Sequence, residues 1–233
     1  MDILTSCQCL EPVKTHVSCL SSCRSLISAK HAQNPTLLES ETCKMPKKNS
    51  RGEIVFRDFP DFRPNLTPRE IFKMGSFGGT YWRPIYSRVT KKEYKNKHKK
   101  YPASWWSGIS TAHLTTDWKN YDKKINKYGV KVGSTLREWE DKKWITKHHP
   151  YGWVQWYCDF YSGKRSPDDQ RQINRWIRTA GPKSRFRLAL INLIRRKRGK
   201  YNDFTISPKR RQTLQHWAYR LTNRDYNSQV SRS

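Results

Sequence analysis

Apolar side chains in this chain follow two patterns. Beyond residue 117 the reading is helical, whereas before that they come in short clusters broken by Gly and Pro. The clearest stripe is Trp153, Trp156, Tyr157, Phe160 and Tyr161, at i, i+3, i+4, i+7 and i+8, which predicts a helix ended by Gly163. Ser166-Pro167-Asp168-Asp169 opens another helix, with a cap, a proline at the first position and acids matching the dipole. Its inner side is Ile173, Trp176 and Ile177, and Gly181-Pro182 stops it. Phe186, Ala189, Leu190, Leu193 and Ile194 mark a further helix closing near Gly199. Ser207-Pro208 starts the last, with Leu214, Trp217, Ala218 and Leu221 inward. Upstream, Thr135-x-x-Glu138 is a capping box ahead of Leu136, Trp139 and Ile145, and Asp117 predicts a helix reaching Tyr128 and ending at Gly129.

Residues 46–66 read as an extended arm in which Pro60 and Pro64 punctuate Phe56, Phe59 and Phe62. Thr67, Pro68 and Glu70 then combine a cap, a first-position proline and a capping box, predicting a short helix that Gly75 ends. The run Gly75 to Ile85 is a glycine turn followed by an aromatic strand-like segment. Its exposed amides beside Arg83 would cradle a phosphate. The Gly-Lys-Ser/Thr ending of a P-loop is missing, however, so a tight structural turn is the leading reading. Together these patterns predict a mainly α-helical fold: a compact multi-helix domain with an irregular, aromatic-rich N-terminal lobe and a disordered leader. The expected divisions are a leader over 1–44, an arm and basic aromatic lobe over 45–130, a helical basic domain over 131–225 forming one unit with that lobe, and a disordered tail over 226–233.

Composition changes the picture at residue 45. The 233 residues carry 47 Lys and Arg against 19 Asp and Glu, a formal charge of +28. Residues 1–44 contain four of each sign, so the whole excess lies beyond them, as do all 10 Trp, 12 Tyr and 8 Phe. Low hydropathy with 28% charged residues would point to disorder without those aromatics, which supply a core. No apolar run approaches the length of a membrane-spanning helix, so no membrane partner is expected.

Five of the six cysteines, Cys7, Cys9, Cys19, Cys23 and Cys43, fall in the leader, and Cys158 stands alone. The leader reads first as a disordered or cleavable extension, or a start upstream of a functional Met45. Second, its acid-free stretch from Pro12 to Leu38 is compatible with an organelle transit peptide. Third, C-x-C-x9-C-x3-C would offer thiolates to zinc, although little surrounds them to form a core.

Two resemblances attach to specific strings. Gly75 to Ile85, Pro150 to Cys158 and Arg171 to Trp176 resemble the motifs of a protein family without an assigned activity, over roughly residues 55–222; the likeness implies domain limits and no chemistry. Tyr128 to Glu140, running on to Trp144-Ile145, resembles the helix-turn-helix of MerR-type regulators, a glycine-valine turn preceding T-L-R-x-aromatic-E. That likeness implies a second helix in the DNA major groove, with Lys131, Ser134 and Arg137 facing bases. An ordinary capped helix is the competing reading.

The charge points to a polyanion. Lys91, Lys92 and Lys95 belong to a basic run over 88–100, and Arg83 follows the glycine turn. Arg171, Arg175 and Arg178 lie away from the apolar stripe of their helix, Arg185 precedes the next stripe, and Arg195, Arg196 and Arg198 follow it; Arg210 and Arg211 extend the pattern. Guanidinium groups bond phosphate in bidentate fashion and stack on bases, so these residues are the expected contacts to DNA or RNA. Neutralising about 6–10 phosphates makes affinity fall roughly a thousandfold or more between 50 and 200 mM salt. Tyr81, Trp82, Trp105 and Trp106, outside clear helices, are the expected stacking residues, although the Trp pair would also serve to anchor its loop in the core. The cluster over 195–200 doubles as a nuclear-localisation pattern, so the expected setting is the nucleus or another nucleic-acid compartment, with an organelle if 1–44 is a transit peptide. The alternatives are a metal-dependent nuclease or related DNA-processing enzyme, with His148, His149 and Asp159 as candidates, and a basic structural or packaging protein; an acidic protein partner stays open. The sequence points to no cofactor and no convincing metal spacing.

Overall fold

The computed structural model describes residues 45–231, which fold as one unit. The leader readings all fall on 1–44, outside the described residues. The fold is mainly α-helical: α1 (Pro68–Lys73), a hairpin of β1 (Ile85–Ser87) and β2 (Lys92–Tyr94), then α2 (Leu136–Asp141), α3 (Trp153–Tyr161), α4 (Asp169–Ala180), α5 (Arg185–Arg196), α6 (Pro208–His216) and α7 (Asn223–Val230). The hairpin is antiparallel with Ile85 opposite Tyr94, Tyr86 opposite Glu93 and Ser87 opposite Lys92.

Helix α3 is the axis of the core, and all nine of its residues are buried. Phe62 of the arm packs edge-on against Trp176 at 5.1 Å and Tyr157 at 5.9 Å, and Trp153 stacks on Tyr157 at 5.2 Å. Arm, lobe and helices thus share a single apolar cluster, from Ile54 to Leu221. A core so rich in Tyr and Trp must satisfy their polar tips, because a buried unmade hydrogen bond costs about 1–3 kcal/mol. Three of the tips find backbone carbonyls, Tyr157 donating to Leu66, Tyr101 to Gln155 and Trp176 to Trp217. Trp156 donates to Asp169, while Trp82 Nε1 is buried with no partner among the described residues. Cys158 is a free thiol sealed within this layer. Burial raises its pKa well above the ordinary value.

Gly152 at φ +84 turns the chain into α3, where a Cβ would meet Ile145 at 3.0 Å. This cap has no side chain to hold the first amides. Tyr81 does so from the lobe, its hydroxyl accepting from the Gln155 amide at 2.8 Å and donating to the Tyr151 carbonyl at 2.7 Å.

Apart from the hairpin, residues 75–128 are loops and short 3-10 turns organised by the glycine turn. A Cβ on Gly75 would lie 1.9 Å from the Ile125 carbonyl oxygen, and one on Gly79 2.3 Å from that of Ala112. Both glycines also hold positive φ. The turn is therefore a platform onto which 112–127 dock, secured by the Lys127 amide donating to Gly75 and that of Asp122 to Gly78. Its own amides are spent: Phe77 donates to His216 Nε2, Gly78 to Asn126 Oδ1, Gly79 to Ser76 and Thr80 to Phe77. The four consecutive amides from Phe77 to Thr80 are thus engaged within the fold, which favours the structural-turn reading of this segment.

Several expected elements differ: α4 begins at Asp169 with Asp168 rather than Ser166 as its N-cap, and α6 ends at His216, short of Trp217, Ala218 and Leu221, and is followed by α7. Residues 117–128 form successive 3-10 turns, Trp118–Asn120 and Lys123–Ile125, each capped by an Asp that accepts from the amide two residues on. The disordered tail expected from 226 is instead the second half of α7, whose Tyr226 and Val230 pack on the core. Arg187 ties this helix down through Asp225 at 2.7 Å. Residues 232 and 233 lie outside the described residues.

Candidate nucleic-acid interface

Two cavities open beside the glycine turn. The larger, about 1000 Å³, has Arg83, Arg88, Lys131 and Arg137 among its lining residues, with Glu138 and Glu140; the smaller, about 630 Å³, has Arg171, Arg175 and Arg178 and no carboxylate. They share Phe77, Tyr81, Val132, Gly133, Ser134 and Trp139, so they adjoin across the 132–134 segment and form one cationic face. Seven cations face two carboxylates along it.

Neither carboxylate is free. Glu140 is buried and accepts from the Arg88 amide and Nε, both at 2.9 Å, and from Ser87. Glu138 closes the α2 capping box, where the Thr135 amide and hydroxyl hold its carboxyl below the usual range. Arg88 also bonds Asp141 at 2.6 Å, so most of its charge is answered internally.

The arginines of α4 differ among themselves. Arg171 grips Asp168 through Nε and Nη2, and although burial opposes it, hydrogen bonds from Arg171 and Gln172 hold that carboxyl below its ordinary pKa. Arg175 lies between the rings of Trp144 and Trp217, 5.5 and 5.3 Å from their centroids, and donates to Gln172 Oε1 and the Trp144 carbonyl. Burial pushes its pKa down to about 10, which leaves it charged at neutral pH. Arg178, one turn on, is exposed and pairs with no carboxylate among the described residues. Across the cleft Arg137 is equally free on α2, while Arg83 is half-buried and donates to the Thr80 carbonyl.

Other expected contacts lie elsewhere. Arg195, Arg196 and Arg210 converge on a separate cavity of about 740 Å³ between α5 and α6. Lys91, Lys92 and Lys95 ride exposed on the hairpin, Arg185 begins α5, and Arg198 follows it in a left-handed conformation. Arg211 corrects its expected role. It is buried, donates to the Ile206 and Tyr201 carbonyls at 2.9 Å each, and braces the loop before α6.

Three of the four expected stacking residues are also corrected. Tyr81, Trp82 and Trp105 are buried, Tyr81 as the cap of α3 and Trp105 stacked on Tyr101 at 5.4 Å. Trp106 is half-buried and donates to the His98 carbonyl. Lying outside regular helices did not expose them, because the irregular lobe packs into the same apolar cluster as the helices. The exposed rings of the larger cavity are Tyr86 and Trp118. A signal for Trp118 existed: it stands alone in Thr115-Thr116-Asp117-Trp118-Lys119-Asn120, with no apolar neighbour to draw it inward.

Of the catalytic candidates, the fold brings His149 and Asp159 together and leaves His148 apart. His148 is exposed. His149 is buried with Nε2 3.6 Å from Asp159, whose Oδ2 accepts from Lys100 at 2.8 Å while Lys164 approaches Oδ1. Burial lowers His149 to about 4, outweighing Asp159. Among the described residues no three His, Cys, Asp or Glu side chains gather where a metal ion would be held. No helix among them is long and apolar enough to cross a membrane.

The segment resembling a MerR-type unit supplies α2 and its capping box, preceded by the 3-10 turns rather than by an α-helix. Comparison with protein-family models, curated proteins and solved structures finds no match for the chain. Function is therefore read from the chemistry of the cleft.

Proposed function

We propose that this protein binds nucleic acid along the cleft between the glycine turn, the 131–139 segment and α4. The observation that carries the reading is the adjacency of the two cavities, whose lining holds seven cations: Arg88 and Arg171 pair with carboxylates, and Arg83, Lys131, Arg137, Arg175 and Arg178 do not. A phosphodiester chain supplies negative charge at the regular spacing such a surface needs, and Arg at both ends suits phosphate oxygens. The +28 charge of the chain adds long-range attraction and speeds encounter. The reading places the protein's work in the nucleus or another nucleic-acid compartment.

Binding titrations of the full chain against DNA, RNA and an acidic polypeptide over a salt series test this. Affinity for nucleic acid should fall linearly in log-log form with salt. Arg137→Ala and Arg178→Ala should each weaken binding and reduce the slope by about one. Affinity indifferent to salt, or equal affinity for the acidic polypeptide, would overturn it.

A further inference from the structure

The cleft has a feature that charge does not account for. Trp118 is 60% exposed and Tyr86 57%, the two most exposed large apolar side chains among the described residues, and both line the larger cavity. Each is presented outward by local structure. Tyr86 is the outward residue of β1, between buried Ile85 and Ser87, and Trp118 opens the 3-10 turn capped by Asp117. Neither ring is engaged by another ring or by a cation among the described residues, unlike Trp144, which has Lys142 and Arg175 near its ring. Leaving a Trp and a Tyr open to water forgoes the burial that the other rings obtain, so exposure in a cationic hollow points to an aromatic ligand.

Shape selects the form of nucleic acid. Duplex readers insert a convex helix or ribbon into a groove about 12 Å wide, and a duplex hides its base faces within the stack. Here the cations and open rings line a hollow. A single strand offers both what the cations attract and what the rings accept.

We infer that the larger cavity is a single-strand site in which unpaired bases stack on Trp118 and Tyr86 while Arg83, Lys131 and Arg137 hold the adjoining phosphates. This inference rests on the nucleic-acid reading and goes beyond it in naming the substrate class. The site reads base faces rather than base edges, so it tolerates many sequences.

The test is fluorescence anisotropy of the full chain with labelled oligothymidylate, oligouridylate and a mixed-sequence duplex of equal length at one salt concentration. Trp118→Ala and Tyr86→Ala should each weaken single-strand binding by about tenfold and leave duplex binding unchanged. Trp118→Phe should restore most of the loss, and the thermal midpoints should match wild type because neither ring packs in the core. Equal weakening on single strand and duplex, or weakening on neither, overturns the inference while salt-dependent binding leaves the broader reading standing. Absence of binding to all three probes overturns both.

Discussion

Gly75 shows how much a single position decides in a lobe with little regular structure. Its φ of +89, and an Ile125 carbonyl oxygen only 1.9 Å from where a Cβ would stand, leave no room for any side chain. Gly75→Ala is expected to lower stability by roughly 3–5 kcal/mol, the range of severe backbone and packing lesions, read from the urea midpoint. A midpoint equal to wild type would mean that 125–127 do not dock on the turn. At this scale the sequence was legible for the turn itself, since glycines announce positive φ. It was not legible for which rings face water. Tyr81 and Trp118 look alike in composition, and only the tertiary partner, the α3 amide that Tyr81 caps, separates them. The same holds for the arginines, because Arg178 and Arg211 differ in what lies opposite them and not in their neighbours along the chain.

Elements defined by local chemistry appear where the sequence predicts them. Both capping boxes form, at Thr67 with Glu70 and Thr135 with Glu138, because all their parts lie within four residues. The expected helix over 117–128 does not form. Asp117 caps one turn, Asp122 caps the next, and docking on Gly75 and Gly78 takes backbone groups that a helix would need. Helix α4 makes a sharper point, since its three arginines on one broad face have separate tasks. Arg175→Ala removes a cation held between two Trp rings and should cost about 1–2 kcal/mol in a denaturant titration. Arg178→Ala should leave stability within about 0.5 kcal/mol of wild type and act on binding alone. Equal stability losses for the two would show that the Trp144–Arg175–Trp217 arrangement does not lock α4 to its neighbours.

For the molecule as a whole, two buried histidines couple stability to acid. Burial lowers His216 to about 3 and His149 to about 4. The neutral His216 ring also accepts the Phe77 amide while stacking on the Phe77 ring at 3.8 Å. In the unfolded chain both return to about 6.5. Between those values the unfolded state binds protons that the folded state refuses, so their contribution is complete above about pH 6.5 and shrinks as pH falls. The loss reaches at most about 1.4 kcal/mol per pH unit for each histidine. A urea midpoint that declines steadily from pH 7 to pH 5 is expected, and a flat profile would mean that the rings are not held neutral. The general architecture was legible from the helical stripes and the composition break at 45. The cleft was not, because it joins side chains from five separate stretches, around 77–88, 118–121, 131–154, 171–186 and 213–217, which no local pattern links.

Cys158 reports on how often that dense core comes apart. Sealed on all sides and with its thiolate disfavoured, it is unreactive for as long as the aromatic layers around α3 stay closed. An alkylating reagent reaches it only during an excursion that parts those layers, so the residue acts as a clock, and its modification counts the times the folded molecule has opened.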